Sequence, residues 1–148
     1  MVLELREFTA VDYESALALW KNCECIGLSS ADSACAIQRF LEHNPGNSFV
    51  AVSDGKIVGT SLCGNDGRRG YLYHLAVDPQ YRRQGLGRQL VQASLDALKA
   101  AGIQKCHILV YRSNEGGKTF WQNSGWKLRS EIDLLSFEIE STVDKCPC

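Results

Sequence analysis

Polar and apolar positions alternate from the start of the chain. Leu3 and Leu5 are separated by Glu4 and preceded or followed by polar residues, the two-residue period of a half-buried strand. Thr9-x-x-Asp12 has the form of a capping box, with Asp where Glu or Gln is usual. Tyr13, Ala16, Leu17 and Trp20 then fall at i, i+3, i+4 and i+7, one face of a helix. A second helix is predicted from about Ala31 to Glu42, burying Ile37, Phe40 and Leu41 and stopped by Asn44-Pro45. SFVAV and KIVGTSLC flank Asp54-Gly55, a pair that suits a type I′ hairpin because both central residues need positive φ. Asn65-Asp66-Gly67 marks another turn, YLYHLAV the next strand, and Asp78-Pro79 its end. Leu86, Leu90, Val91, Leu95 and Leu98 line a third helix that Gly102 closes. KCHILVY reads as a strand, and Asn114 to about Asn123 as a short helix weakened by Gly116 and Gly117 and ended by Gly125. WKLRS and DLLSFEIE read as a final strand pair. The predicted order is β-α-α-β-β-β-α-β-α-β-β, an α/β (α+β) chain with a mixed sheet flanked by helices.

Its 148 residues suit one domain with its own core, and a formal net charge of −1 speaks against a broad nucleic-acid-binding face. The arginine doublets Arg68-Arg69 and Arg82-Arg83 are local features. No apolar run is long enough to span a membrane, and MVLELREF carries an acid where a secretory leader needs a basic start, so a cytoplasmic protein is expected. Seven cysteines include two C-x-C pairs, Cys23/Cys25 and Cys146/Cys148, rather than the C-x-x-C pairs of most zinc sites. No metal is expected, and the cysteines read as reduced and structural.

YRRQGLGRQL, residues 81–90, places two glycines at the first turn of a helix among three arginines. Glycine costs a helix about 1 kcal/mol against alanine, so the pair needs a reason. The first amides of a helix lack intrahelical acceptors, and the macrodipole makes that end partly positive. Gly85 and Gly87 let a bulky anion reach those amides, while Arg82, Arg83 and Arg88 add charge and forked donors. The stretch reads as a diphosphate cradle. It is no Walker loop, because Arg88-Gln89 follow Gly87 where Lys-Ser/Thr is required, and no dinucleotide fingerprint, because RQL follows GLG. A surface turn with solvated arginines is the plainer alternative.

HLAVDPQYRRQGLGRQLV resembles the acetyl-CoA-binding motif of the GNAT superfamily of N-acetyltransferases, Arg/Gln-x-x-Gly-x-Gly/Ala after a strand and turn. SNEGGKTFWQNSGW resembles the same family's second signature, Asn-x-x-Ala-x-x-Phe-Tyr-x-x-x-Gly-Phe. The resemblance implies a single domain over residues 1–140, with a mixed, mostly antiparallel twisted sheet; residues 141–148, ending in CPC, read as a flexible C-terminal tail. It implies that Leu75, Ala76 and Val77 pair through their backbone with the pantetheine arm of acetyl-CoA like an added strand. It further implies that Arg82, Arg83, Gln84, Gly85, Leu86, Gly87 and Arg88 hold the pyrophosphate and that Asn114 bonds the cofactor arm. Asn114 also reads simply as a helix N-cap, and one side chain could serve both ends. The acceptor groove would be shaped by Cys23 to Ala34 and Ser130 to Leu135, where Glu24 and Asp32 read as solvated charges. A homodimer through edge-strand pairing is compatible with the fold.

Acetyl transfer needs a neutral amine, an oxyanion donor and a leaving thiolate, so a base and an acid are sought. The chain departs from the family here: Trp121 stands where the usual tyrosine acid would, and Leu109 where many relatives that acetylate protein N-termini carry glutamate. Indole holds its N–H proton at physiological pH. The remaining candidates lie on the fourth strand: Tyr71, Tyr73 and His74. A tyrosine would serve if its pKa were lowered. His74 is the residue type that exchanges protons near neutrality, yet regular alternation turns it away from both tyrosines, and only a bulge would re-aim it. On that pattern it reads as a packed structural histidine. The expected activity is N-acetylation of a primary amine on a small molecule or protein, from acetyl-CoA, in a ternary complex. The alternative, raised by Trp121 and Leu109, is an acyl-CoA-binding module with little or no turnover.

Overall fold

The computed structural model describes residues 3–24 and 26–141. Cys25, Cys146, Cys148 and nearly all of the expected tail lie outside the described residues. The chain divides into two compact units, Met1–Leu109 and Val110–Cys148. The first holds β1 (Leu3–Glu7), α1 (Tyr13–Asn22), α2 (Ala34–His43), β2 (Phe49–Ser53), β3 (Lys56–Asn65), β4 (Gly70–Val77), α3 (Leu86–Ala100) and β5 (Cys106–Ile108), and the second holds α4 (Glu115–Asn123). The five strands form one open sheet in chain order, antiparallel except for the parallel β4–β5 pair. The mixed, mostly antiparallel architecture expected from the sequence is therefore present.

Alternation along the strands builds two cores. Val50, Ile57, Leu62 and Ala76 face α1 and α2, where they pack with Phe8, Ala16, Leu19, Trp20 and Ile37. Ala51 and Val58 face α3 and pack with Leu86 and Leu90, joined by Leu75 and Val77. A register shift sets Ala51 opposite Gly59 and Val52 opposite Ile57, so that Val58 has no directly opposed residue. At Gly59 an added Cβ would stand 2.8 Å from Leu90 Cδ1. Only a bare α-carbon admits the helix that close.

Local chemistry explains most boundaries. Asp54 and Gly55 have φ of 51° and 77°, the left-handed pair that a tight hairpin between β2 and β3 requires. Thr9 N–H donates to Asp12 Oδ2 at 2.9 Å, and Arg6 grips both Asp12 oxygens at 2.8 Å, which closes the turn before α1. α2 starts three residues later than predicted. Ser33 Oγ accepts from Ala36 N–H and caps it, while Ser30–Asp32 forms a separate 3-10 turn closed by Ser29 N–H donating to Asp32 Oδ2 at 2.9 Å.

Two expectations fail. β5 covers three residues rather than all of KCHILVY, and Leu109 and Tyr111 beyond it are exposed. No strand forms after α4 among the described residues, where Leu134, Leu135, Phe137 and Ile139 are exposed. Alternation specifies a face, but a strand also needs a neighbour for its backbone bonds, and an isolated pair of strands is marginal in water.

Candidate active site

The centre of β4 is irregular. Leu62 pairs with Tyr73 and Thr60 with Ala76, so Ser61 alone faces both His74 and Leu75. This is a β-bulge, and His74 takes φ +46° within it. Histidine is among the residues that tolerate this region, at a cost of about 1–3 kcal/mol that surrounding contacts must hold. Thr60 supplies one, its hydroxyl donating to His74 O at 2.8 Å, and Trp20 Nε1–H donates in turn to Thr60 Oγ1 at 2.9 Å.

The bulge reverses the expected orientation of His74. The ring lies edge-on to Trp20 of α1, centroids 4.7 Å apart, on the same side of the sheet on which Tyr73 meets Phe40 of α2. His74 Nε2 is 2.6 Å from Asp32 Oδ1, and both side chains are largely buried, at 14% and 11% exposure. Tyr13 OH donates to the Asp32 carbonyl at 2.7 Å and fixes the turn that presents the acid. Asp32, expected to be a solvated charge, is therefore a largely buried partner of a candidate base. The sequence did carry a signal: Ser29-x-x-Asp32 is itself a capping box, with Ser33 capping the helix behind it.

Tyr71 and Tyr73 stack at 6.5 Å, and Tyr71 lies 5.6 Å from the His107 ring on β5, so an aromatic row runs along this face. Burial, reinforced by Tyr71 beside it, pushes the Tyr73 phenol above its ordinary pKa. That is opposite to the lowering that a tyrosine relay would need.

β5 pairs with Gly70, Tyr71 and Leu72 only. The β5-facing edge of Leu75, Ala76 and Val77 has no strand beside it among the described residues. Val77 O accepts from Arg82 Nε at 3.0 Å, and Cys23 Sγ lies 3.7 Å from the same oxygen. Burial raises the Cys23 thiol above its usual pKa, which keeps it protonated near neutrality.

The turn into α3 follows directly. Asp78 Oδ1 accepts from Gln80 N–H at 2.9 Å and starts a short 3-10 turn at Pro79–Tyr81. Arg83 at φ +62° and Gly85 at φ +81° then bend the chain into the helix. Gly85 is the N-cap and offers no side chain, and Gln89 N–H is the first to bond back, to Gly85 O at 3.1 Å. The amides of Leu86, Gly87 and Arg88 therefore precede the helical ladder. Leu86 buries its side chain under the sheet, whereas Arg82, Arg83, Gln84, Gly85 and Arg88 are exposed. A Cβ on Gly85 would meet nothing within 4 Å.

In the second unit Asn114 Oδ1 accepts from Gly117 N–H at 2.9 Å and caps α4. A Cβ at Gly117 would stand 2.4 Å from Asn114 Nδ2, so a larger residue there would make the capping side chain shift. Trp121 is buried edge-on to Phe120 and Trp126, at 5.1 and 4.8 Å, as a packing residue. Among the described residues no three His, Cys, Asp or Glu side chains converge as a metal site would require, and no helix is long and apolar enough to cross a membrane.

An open mixed sheet whose fourth strand parts from its neighbour, followed by a helix with a bare glycine mouth, defines a fold class shared with known acyl-transfer enzymes. The profile of the acetyltransferase (GNAT) family matches residues 7–126, and the chain belongs to that family of acyltransferases. It is 35% identical over 132 residues to an acetyltransferase of Yersinia pestis (strain Pestoides F), covering 89% of this chain and 93% of that protein. It is 30% identical over 133 residues to an acetyltransferase of Sodalis glossinidius, covering 90% and 93%. Its fold is similar to the PaiA N-acetyltransferase of Thermoplasma acidophilum, solved in complex with coenzyme A, with a TM-score of 0.76 at 19% identity over 87% of this chain and 92% of that one. Ard1 of Thermoplasma volcanium superposes with a TM-score of 0.77 at 20% identity over 88% and 86%.

Proposed function

We propose that this protein transfers an acetyl group from acetyl-CoA to a primary amine of a small molecule or protein, by direct attack in a ternary complex. The observation that carries the reading is the adjacency of two features. A β4 edge at Leu75–Val77 with no strand beside it among the described residues leads through a short turn to a helix mouth whose cap, Gly85, is left-handed and bare. In this reading the edge receives the amide-rich pantetheine arm as a further strand would be received. The amides of Leu86, Gly87 and Arg88 hold the pyrophosphate, helped by the macrodipole and by Arg82, Arg83 and Arg88. Gln84 and Gly85 complete the turn around it. The relatives' family-level activity and a neighbour solved with coenzyme A support the choice of cosubstrate.

Two measurements test the reading. Calorimetry should give one coenzyme A site per chain. Thiol release from acetyl-CoA should depend on an added amine when small-molecule amines and peptide N-termini are screened. Absence of coenzyme A binding by the folded chain would refute it.

A further inference from the structure

Resting on the acetyl-transfer reading, we propose that Asp32 and His74 form its proton-accepting pair. His74 is the base that touches the acceptor amine, or a water hydrogen-bonded to it, and Asp32 is the positioning residue.

Two independent features of the molecule carry the assignment. The first is the pair itself: Asp32 comes from the 3-10 turn before α2, 42 residues from His74, and closes on Nε2 at 2.6 Å. An ionised carboxylate only accepts hydrogen bonds, so Nε2 carries the hydrogen and Nδ1 carries the lone pair in the neutral ring. Among the described residues Nδ1 has no bonded neighbour, and no buried side-chain nitrogen or oxygen there lacks one. Nδ1 therefore reaches solvent. One nitrogen is tied to an acid and the other is open, which is the arrangement of an oriented base. A histidine serving packing alone has no need of an open lone pair.

The second is the backbone. His74 is held at φ +46° by a bulge, and Thr60 and Trp20 lock its carbonyl and ring. Without the bulge the ring would lie on the α3 side with Leu72, away from Tyr73. Non-glycine residues kept in this region cluster where orientation serves chemistry.

The acceptor arrives as an ammonium, and Nδ1 takes one proton, leaving an imidazolium whose charge faces the Asp32 carboxylate. The neutral amine attacks the thioester carbonyl, and a C–N bond forms. The C–S bond then breaks, with its electron pair going to sulfur. The nitrogen sheds its second proton, sulfur gains one, and the imidazolium returns one to solvent. The net products are amide, thiol and one proton.

The test uses the full chain and an amine that it turns over. His74→Asn keeps a residue that tolerates positive φ and should lower kcat about 100-fold, within the range of general-base catalysis, with unchanged coenzyme A affinity. Asp32→Asn should lower kcat about tenfold, and the double variant should match His74→Asn. Imidazole in the buffer should restore turnover to His74→Gly. Nitrogen-15 spectra of the wild-type ring should show Nε2 protonated and Nδ1 bare, a readout that holds whatever the variants' stability. A folded His74→Asn within threefold of wild-type kcat would overturn the pair, as would the opposite tautomer or an Asp32→Asn loss that adds in full to that of His74→Asn. A wild type that binds coenzyme A but acetylates no amine would instead overturn the transfer reading, and the pair's role with it.

Discussion

Gly85 and Gly102 sit at opposite ends of α3 with nearly the same backbone, φ +81° and +82°, and an added Cβ at either would meet nothing within 4 Å. Alanine at each position therefore carries the same penalty, the cost of a left-handed L-residue, about 1–2 kcal/mol. In a chain of this size that is a fall in Tm of about 2–8 °C. The two variants should lose similar stability. They should differ in coenzyme A affinity. At Gly85 the new methyl group projects into the space assigned to the pyrophosphate, and losing one charge-assisted amide bond costs about 1.5–3 kcal/mol. That is a weakening of roughly 10- to 150-fold, since 1.4 kcal/mol is tenfold. At Gly102, 15 helical residues away, affinity should be unchanged. Thermal melts followed by calorimetry with coenzyme A separate the two effects. If Gly85→Ala binds within twofold of wild type, or if Gly102→Ala weakens binding equally, the helix mouth is not the anion site.

Asp12 offers a test of stability. Its two bonds from Arg6, together with the Thr9 amide, hold its carboxyl below the ordinary carboxylate range. A depressed folded pKa stabilises the protein above the unfolded value, near 3.9, and that contribution is lost as pH falls through the folded value. Asp12→Asn should thus be less stable by about 1–3 kcal/mol at neutral pH, and the gap should close in acid; a gap constant from pH 7 to pH 2, measured by urea titration, would refute this. Cys63 is fully buried, and burial pushes its thiol up to about 12. Iodoacetamide at pH 8 should spare it in the native protein and alkylate it in denaturant, as mass spectrometry of the peptides would show; native labelling at the denatured rate would contradict the packing.

Features written in local chemistry were legible from the sequence. Asp54-Gly55 demands its hairpin wherever it occurs between strands, and Gly85 and Gly102 bracket α3 because few other residues accept their φ. Asn114 was readable as a cap because its side-chain oxygen can accept from a first-turn amide. The orientation of His74 was not, because a bulge depends on what stands opposite: Ser61 faces two residues, and Thr60 and Trp20, distant in sequence, hold the result. Asp32 was missed as a site residue because its own surroundings are polar, and its burial comes from β4 and α1. The short β5 and the absent last pair show the other gap. A period of two says which side chains share a face, and nothing in it supplies the neighbouring backbone.

The contact at Gly59 has a bearing on where ligands can sit. With Leu90 packed against a bare α-carbon in the middle of β3, the helical rod beneath the sheet has no slack toward it. Leu90 lies in the second turn of the helix that Gly85 caps, and β3 is laced to β4 beside the open edge. On the proposed placement of acetyl-CoA, the spacing between the helix mouth and the open edge of β4 is thereby gauged by a residue assigned to neither, as a shim sets the gap between two plates.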